Sequence, residues 1–259
     1  MNNHSTTSSH ALTGKVALVT GGARGIGAEV CSQLAALGAH VVVAARDKTK
    51  AESMAAALRQ AGLLASAVQF DVTREEDRQA ALESLEKAHG KLDILINNAG
   101  IWLDSANAAT PPDRAPSEAP PSVVRETFEA NFFASIFVTQ TLLPLLRRSD
   151  AGRIVNVSSI RGSLAHLSNP KSPVYPIKAL GYDTSKAALN AFTILLAEEL
   201  RGTRIKVNAI HPGWVRTTMG SEQADLDIAD GARTTVQYAT LGENGPKGGF
   251  FYLDVSLPW

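Results

Sequence analysis

One pattern constrains this chain more than any other: short, unbroken apolar runs alternate with stretches of helical spacing. The runs "KVALVT" (15–20), "AHVVVAA" (39–45), "SAVQF" (66–70) and "LDILIN" (92–97) are separated by helical patterns over 26–37, 48–60 and 74–88, which reads as βαβαβαβ. A strand with one face in water alternates apolar and polar residues. These runs do not, so both faces are expected to be buried, as in a parallel sheet with helices above and below. The pattern predicts an α/β fold: a doubly wound parallel sheet in three layers, α/β/α.

The second half keeps the alternation with two interruptions. A Pro- and Ala-rich excursion, 100–121, precedes a helix over 122–147 in which Pro144 kinks the last turn. A strand over 153–159 leads into "SNPKSPVYPIKA" (168–179), whose three prolines exclude a regular helix. A helix over 181–200, a strand over 204–210, a helix over 228–241 and a short strand near "GGFFYL" complete the chain. At 259 residues and 44% hydrophobic the chain can bury one large core. No internal repeat or long linker divides it, so a single domain over 12–259 is expected behind a disordered polar tail over 1–11.

Charge excludes several classes of partner. The 25 basic and 25 acidic residues cancel, and without a polybasic run neither nucleic acid nor an anionic membrane is favoured. A small, roughly neutral ligand fits better. Cys31, the single cysteine, lies in an apolar helical pattern and is expected to pack, not react. The start has no hydrophobic signal segment, and no stretch reaches the ~18 consecutive apolar residues of a membrane span. A soluble, cytoplasmic protein is the expectation. The six histidines are scattered without HExxH, so no metal is expected, and there is no GxSxG elbow.

"TGGARGIG" (20–27) sits where the first strand turns into the first helix. There, glycines allow a sharp turn, and the helix N-terminus offers backbone N–H groups to a pyrophosphate. This turn is similar to the TGxxxGxG of the short-chain dehydrogenase/reductase family. "NNAG" (97–100), "RIVNVSS" (153–159), "GYDTSKAA" with its YxxxK, and "HPGWVRT" (211–217) follow in that family's order. The resemblance implies a Rossmann fold, a nicotinamide cofactor and reversible reduction of a carbonyl. It points to Gly21, Arg24, Gly25, Ile26, Asp71, Val72, Asn98, Gly100, Pro212, Val215 and Thr217 as cofactor contacts, with Tyr182 and Lys186 shared between cofactor and catalysis.

The cofactor's phosphate is read at the end of strand two. A carboxylate there suits a free ribose hydroxyl and a cation suits a 2′-phosphate. Arg46 ends the strand and Arg24 is a second cation within the glycine turn, which favours NADP(H). Asp47 competes as a ribose carboxylate, but its position also suits an N-cap for the helix from Lys48. Asp71 likewise has the spacing of a cap for the helix after Thr73.

Tyr182 and Lys186 lie one helical turn apart, a spacing that by itself is worth a few tenths of a kcal/mol. Beside a hydride donor it means more, because an alkoxide formed from a ketone needs a proton and a nearby ammonium favours the phenolate. Ser159 is expected to hold the substrate oxygen, with Ser158 pointing the other way by strand alternation. Asn131, in "FEANFF", resembles the family asparagine that supports a proton relay. Tyr175 has alanine four residues on and is no competitor. Trp102 and Trp214 either line an apolar pocket or are simply buried surface.

The long interval between Ser159 and Tyr182, together with "ARD" (45–47) and "GPKGGFF" (245–251), resembles the carbonyl-reductase branch. That branch implies ketone, aldehyde or quinone substrates and a monomer, the insertion partly covering the substrate mouth and hindering assembly. The alternatives are an NAD-dependent secondary-alcohol dehydrogenase and a non-catalytic NADP-sensing protein.

Overall fold

Among residues 11–259, which the computed structural model describes, eight strands form one sheet. β1 (Val16–Thr20), β2 (His40–Ala45), β3 (Ala65–Gln69), β4 (Ile94–Asn97), β5 (Arg153–Val157), β6 (Lys206–Ile210) and β7 (Phe250–Tyr252) run parallel in the order β3-β2-β1-β4-β5-β6-β7. β8 (Val255–Ser256) pairs antiparallel with β7 at the edge. The polar tail expected over 1–11 lies, apart from Ala11, outside the described residues.

The unbroken apolar runs divide cleanly between two cores. Ala17, Val19, Val41, Val43, Ile94 and Ile96 face one side, with α1 (Gly25–Ala36), α2 (Lys48–Gln60) and α8 (Ile228–Ala239). Val16, Leu18, Val42, Ala44 and Leu95 face the other, with α3 (Glu75–His89), α5 (Ala134–Leu146) and α7 (Leu180–Glu199). Each strand thus sends alternate side chains into opposite cores, and both sets must be apolar. This is the doubly wound, three-layer arrangement of a Rossmann fold.

β1 is flanked by β2 and β4, so the winding reverses between β1 and β4 and a crevice opens at their C-terminal ends. Thr20 and Asn98 join the two strand ends across it. The Thr20 hydroxyl accepts from the N–H groups of Asn98 and Ala99, both at 3.0 Å, and Asn98 Nδ2 donates to the Thr20 carbonyl at 2.8 Å.

Three local features depart from the sequence expectations. The helix over 122–147 is α4 (Pro121–Phe128), a π-helical segment (Glu129–Phe133) and α5, which continues through Pro144 to Leu146. A short helix, α6 (Leu164–Ser168), forms before the proline-rich stretch. β5 stops at Val157, although Ser158 N–H still donates to Ile210 at 2.8 Å. The run Pro121–Leu146 is long and apolar enough by length and composition to cross a membrane, although Arg125, Glu126 and Glu129 interrupt it. Val138, Leu142, Leu145 and Leu146 turn its apolar face into the core.

Candidate active site

The glycine turn is shaped for a ligand that approaches backbone. Gly25 adopts φ +54°, and a Cβ at Gly27 would stand 2.4 Å from the Gly21 carbonyl oxygen and 2.5 Å from Asn98 Nδ2. Only glycine lets α1 start that close to the end of β4. No side chain caps the first turn of α1, and no acidic residue lies in it, so its N-terminal end is open to an anion. A Cβ on Gly25 would meet the Thr217 methyl at 3.8 Å, which places the segment after β6 against this turn. Pro212 opens that segment and Val215 is buried in it, bridged to Leu226.

Arg24 and Arg46 are both exposed, and neither is tied into an ion pair among the described residues. Asp47 is the N-cap of α2 and accepts from Lys50 N–H at 3.1 Å, the role its position suggested. Asp71 is not the cap of α3. That helix starts at Glu75 behind Arg74, and the Asp71 carboxylate instead accepts from Thr73 N–H and the Thr73 hydroxyl, at 3.0 and 2.7 Å. Ile26 packs against the α1 core, and Val72 is buried in the opposite one.

The catalytic candidates converge where β5, α7 and the π-helical segment meet. Lys186 is 4% exposed, and its ammonium donates to the Val157 carbonyl at 2.8 Å. A Cβ on Gly100 would lie 3.2 Å from Asn131 Oδ1 and 3.6 Å from Lys186 Nζ, so these three residues are close neighbours. Asn131 accepts from Ile101 N–H at 2.7 Å and donates to the Ile101 carbonyl at 3.0 Å and to Ser185 Oγ at 3.1 Å. The π-helical register aims it there, and such single-turn bulges concentrate at functional sites.

Ser158 and Ser159 diverge as strand alternation requires. Ser158 donates to Asn190 on α7 at 2.6 Å, while the Ser159 hydroxyl accepts from Arg161 N–H at 3.2 Å on the side of the Tyr182 phenol. Trp102 is buried and tilts against the Tyr182 ring at 4.8 Å between centroids. Trp214 stays part-exposed, its indole N–H donating to the Gly220 carbonyl.

Electrostatics around Tyr182 differ from the i,i+4 reading. Burial pushes the phenol up to about 12; the Arg161 guanidinium and the Ser159 hydrogen bond oppose that rise, and the Asp183 carboxylate adds to it. The opposing cation is Arg161, not Lys186, whose ammonium sits 5.6 Å from the ring centroid and is turned to Val157. Burial pushes Lys186 itself down to about 8. Burial also raises Asp183, to about 6, against the pull of Arg161 and the Ala179 N–H and with a further push from Asp104.

Asp104, Arg161 and Asp183 were not singled out in the sequence. Asp104 accepts from the N–H groups of both Gly181 and Tyr182 at 2.9 Å, capping the first turn of the helix that carries the phenol. Its partners lie 77 and 78 residues away in the chain, beyond the reach of any local pattern. Arg161 does stand two residues after Ser159, a proximity that could have drawn notice.

A family model described as short chain dehydrogenase matches residues 15–227. Salutaridine reductase of Papaver bracteatum is 32% identical over 298 residues, covering 92% of this chain and 94% of its own length. Among solved structures, an NADPH-bound carbonyl reductase from chicken fatty liver superposes with a TM-score of 0.81 at 27% identity, covering 95% of this chain and 99% of that one. A metagenomic short-chain oxidoreductase in complex with NADP gives a TM-score of 0.71 at 29% identity, covering 91% and 95%.

Proposed function

Because the chain belongs to the short-chain dehydrogenase family, we propose that it is an NADPH-dependent reductase that converts a ketone, aldehyde or quinone carbonyl to an alcohol, with Tyr182 as the proton donor. The observation that carries this reading is the convergence of the Ser159 hydroxyl, the Tyr182 phenol and the buried Lys186 ammonium beside Gly100 and Asn131.

The nicotinamide ring supplies a hydride to the carbonyl carbon when bound. Ser159 donates a hydrogen bond to the substrate oxygen and holds it at the phenol. Tyr182 gives its proton to that oxygen as negative charge develops there, so the carbonyl gains hydride and proton and leaves as an alcohol. Lys186 fixes the end of β5 to α7 and replenishes the phenol's proton in company with Asn131. The glycine turn and the N-terminal end of α1 would hold the pyrophosphate, and Arg24 and Arg46 the 2′-phosphate. With Asp47 committed to capping α2, the carboxylate that would favour NAD is engaged elsewhere. The two solved relatives named as binding NADPH and NADP support the same preference.

Tyr182→Phe tests the proposal. Reduction across a panel of ketones, aldehydes and quinones should fall at least about a hundredfold, while NADPH still quenches protein fluorescence. Unchanged reduction would remove Tyr182 from the chemistry, and a wild type that binds NADPH yet turns over no carbonyl would favour a sensing role.

A further inference from the structure

Arg161 lies on a 3-10 turn (Ile160–Gly162) pressed against the catalytic helix. A Cβ at Gly162 would stand 2.7 Å from the Lys186 carbonyl carbon, so the turn reaches α7 only because residue 162 has none. The Arg161 side chain is buried and held from three directions. Nη1 donates to the Ile177 carbonyl at 2.9 Å and lies 3.5 Å from Asp183 Oδ1, and Cζ sits 5.3 Å from the centre of the Trp102 ring. That same ring tilts against Tyr182, and its N–H donates to Ser105 at 3.0 Å.

We propose that Arg161 is a positioning residue for the reaction: it braces Trp102 against Tyr182 and keeps a permanent positive charge beside the phenol. The inference rests on Tyr182 being the proton donor. A guanidinium stays charged when buried, and its contact with Asp183 is a single long one, not a bidentate pair, so its field is only partly cancelled. The charged groups facing the phenol are Asp183 and Lys186 from α7, Asp104 from the loop after β4 and Arg161 from the turn after β5. Of these, Arg161 favours the phenolate and Asp183 opposes it. Lys186 points its ammonium at the Val157 carbonyl, 5.6 Å from the Tyr182 ring centroid.

The test is the pH profile of alcohol oxidation with NADP⁺, where Tyr182 must first lose its proton and the rate climbs with pH. In Arg161→Met the midpoint of that climb should move up by roughly one pH unit, with kcat lowered more than KM is raised. Arg161→Lys should bring it back toward wild type. Asp183→Asn keeps the oxygen that accepts from Ala179 N–H and removes the opposing charge, so its midpoint should move down. A merely structural role would lower rates without displacing the two midpoints in opposite directions. Unmoved midpoints, or midpoints that move together, would overturn the proposal. If Arg161→Met does not fold, Arg161→Lys and Asp183→Asn still decide it. Reduction that survives in Tyr182→Phe would instead sink the proton-donor reading, and this one with it; a dead Tyr182→Phe with unmoved midpoints sinks this one alone.

Discussion

The Lys186 ammonium donates to the Val157 carbonyl at 2.8 Å, so the residue expected to serve the chemistry also fastens α7 to β5, the strand that leads to Ser159. Burial holds it at about 8, against 10.5 for a free lysine. Between those values the unfolded chain binds the extra proton, so this group makes stability rise with pH from about 8 to 10.5. Denaturant melts of the wild type and Lys186→Met at pH 7.5 and pH 10 should show the rise in the first and its absence in the second. Carbonyl reduction by the variant should fall at least about a hundredfold.

Asn131 satisfies both backbone groups of Ile101. Asn131→Ala leaves them unpaired in a part-buried place, at a cost of about 2 kcal/mol. The melting temperature should drop by about 4–8 °C, with reduction impaired in the same variant. A melt indistinguishable from wild type would mean that water replaces the side chain.

Arg24 and Arg46 are exposed and structurally uncommitted, so they can be exchanged without disturbing the fold. Arg46→Asp should lower the ratio of kcat/KM for NADPH over NADH by about 10–100-fold at an unchanged melting temperature. A constant ratio would place the phosphate contact elsewhere.

Asp93 is fully buried beneath β1 and β5. Burial by itself would raise its carboxyl, but hydrogen bonds from Ser149, Val16 N–H and Lys91 and the charge of Lys15 outweigh that and hold it below the usual 3.8. Its stabilisation is therefore complete above about pH 4 and is lost as pH falls through the depressed folded value. Asp93→Asn should unfold in less denaturant at pH 7, by about 1–3 kcal/mol, and should lose less stability than wild type between pH 5 and pH 3.

The strands and the first three helices were legible because apolar periodicity reports burial directly. β1 was expected over 15–20 and runs Val16–Thr20; α2 was expected over 48–60 and runs Lys48–Gln60. Periodicity does not report hydrogen-bond register, so the change to π-helix at Glu129 was invisible, and Asn131 stood out only by its resemblance to a family position. Ser159, Tyr182 and Lys186 stand out in the sequence because motif spacing marks them, and the fold brings them to one place. Asp104 and Asp183 carry no such mark and Arg161 only its place two residues after Ser159, because their significance comes from contacts made only when the loop after β4 and the turn after β5 meet the start of α7.

The link between Thr20 and Asn98 has a consequence for the cofactor. These residues satisfy one another's polar groups across the crevice floor, which therefore takes its shape when the chain folds. The entropy of ordering that floor is charged to folding and not to association. An incoming dinucleotide meets a finished platform, and its residence time is left to the rims formed by Arg24, Arg46 and the segment around Thr217.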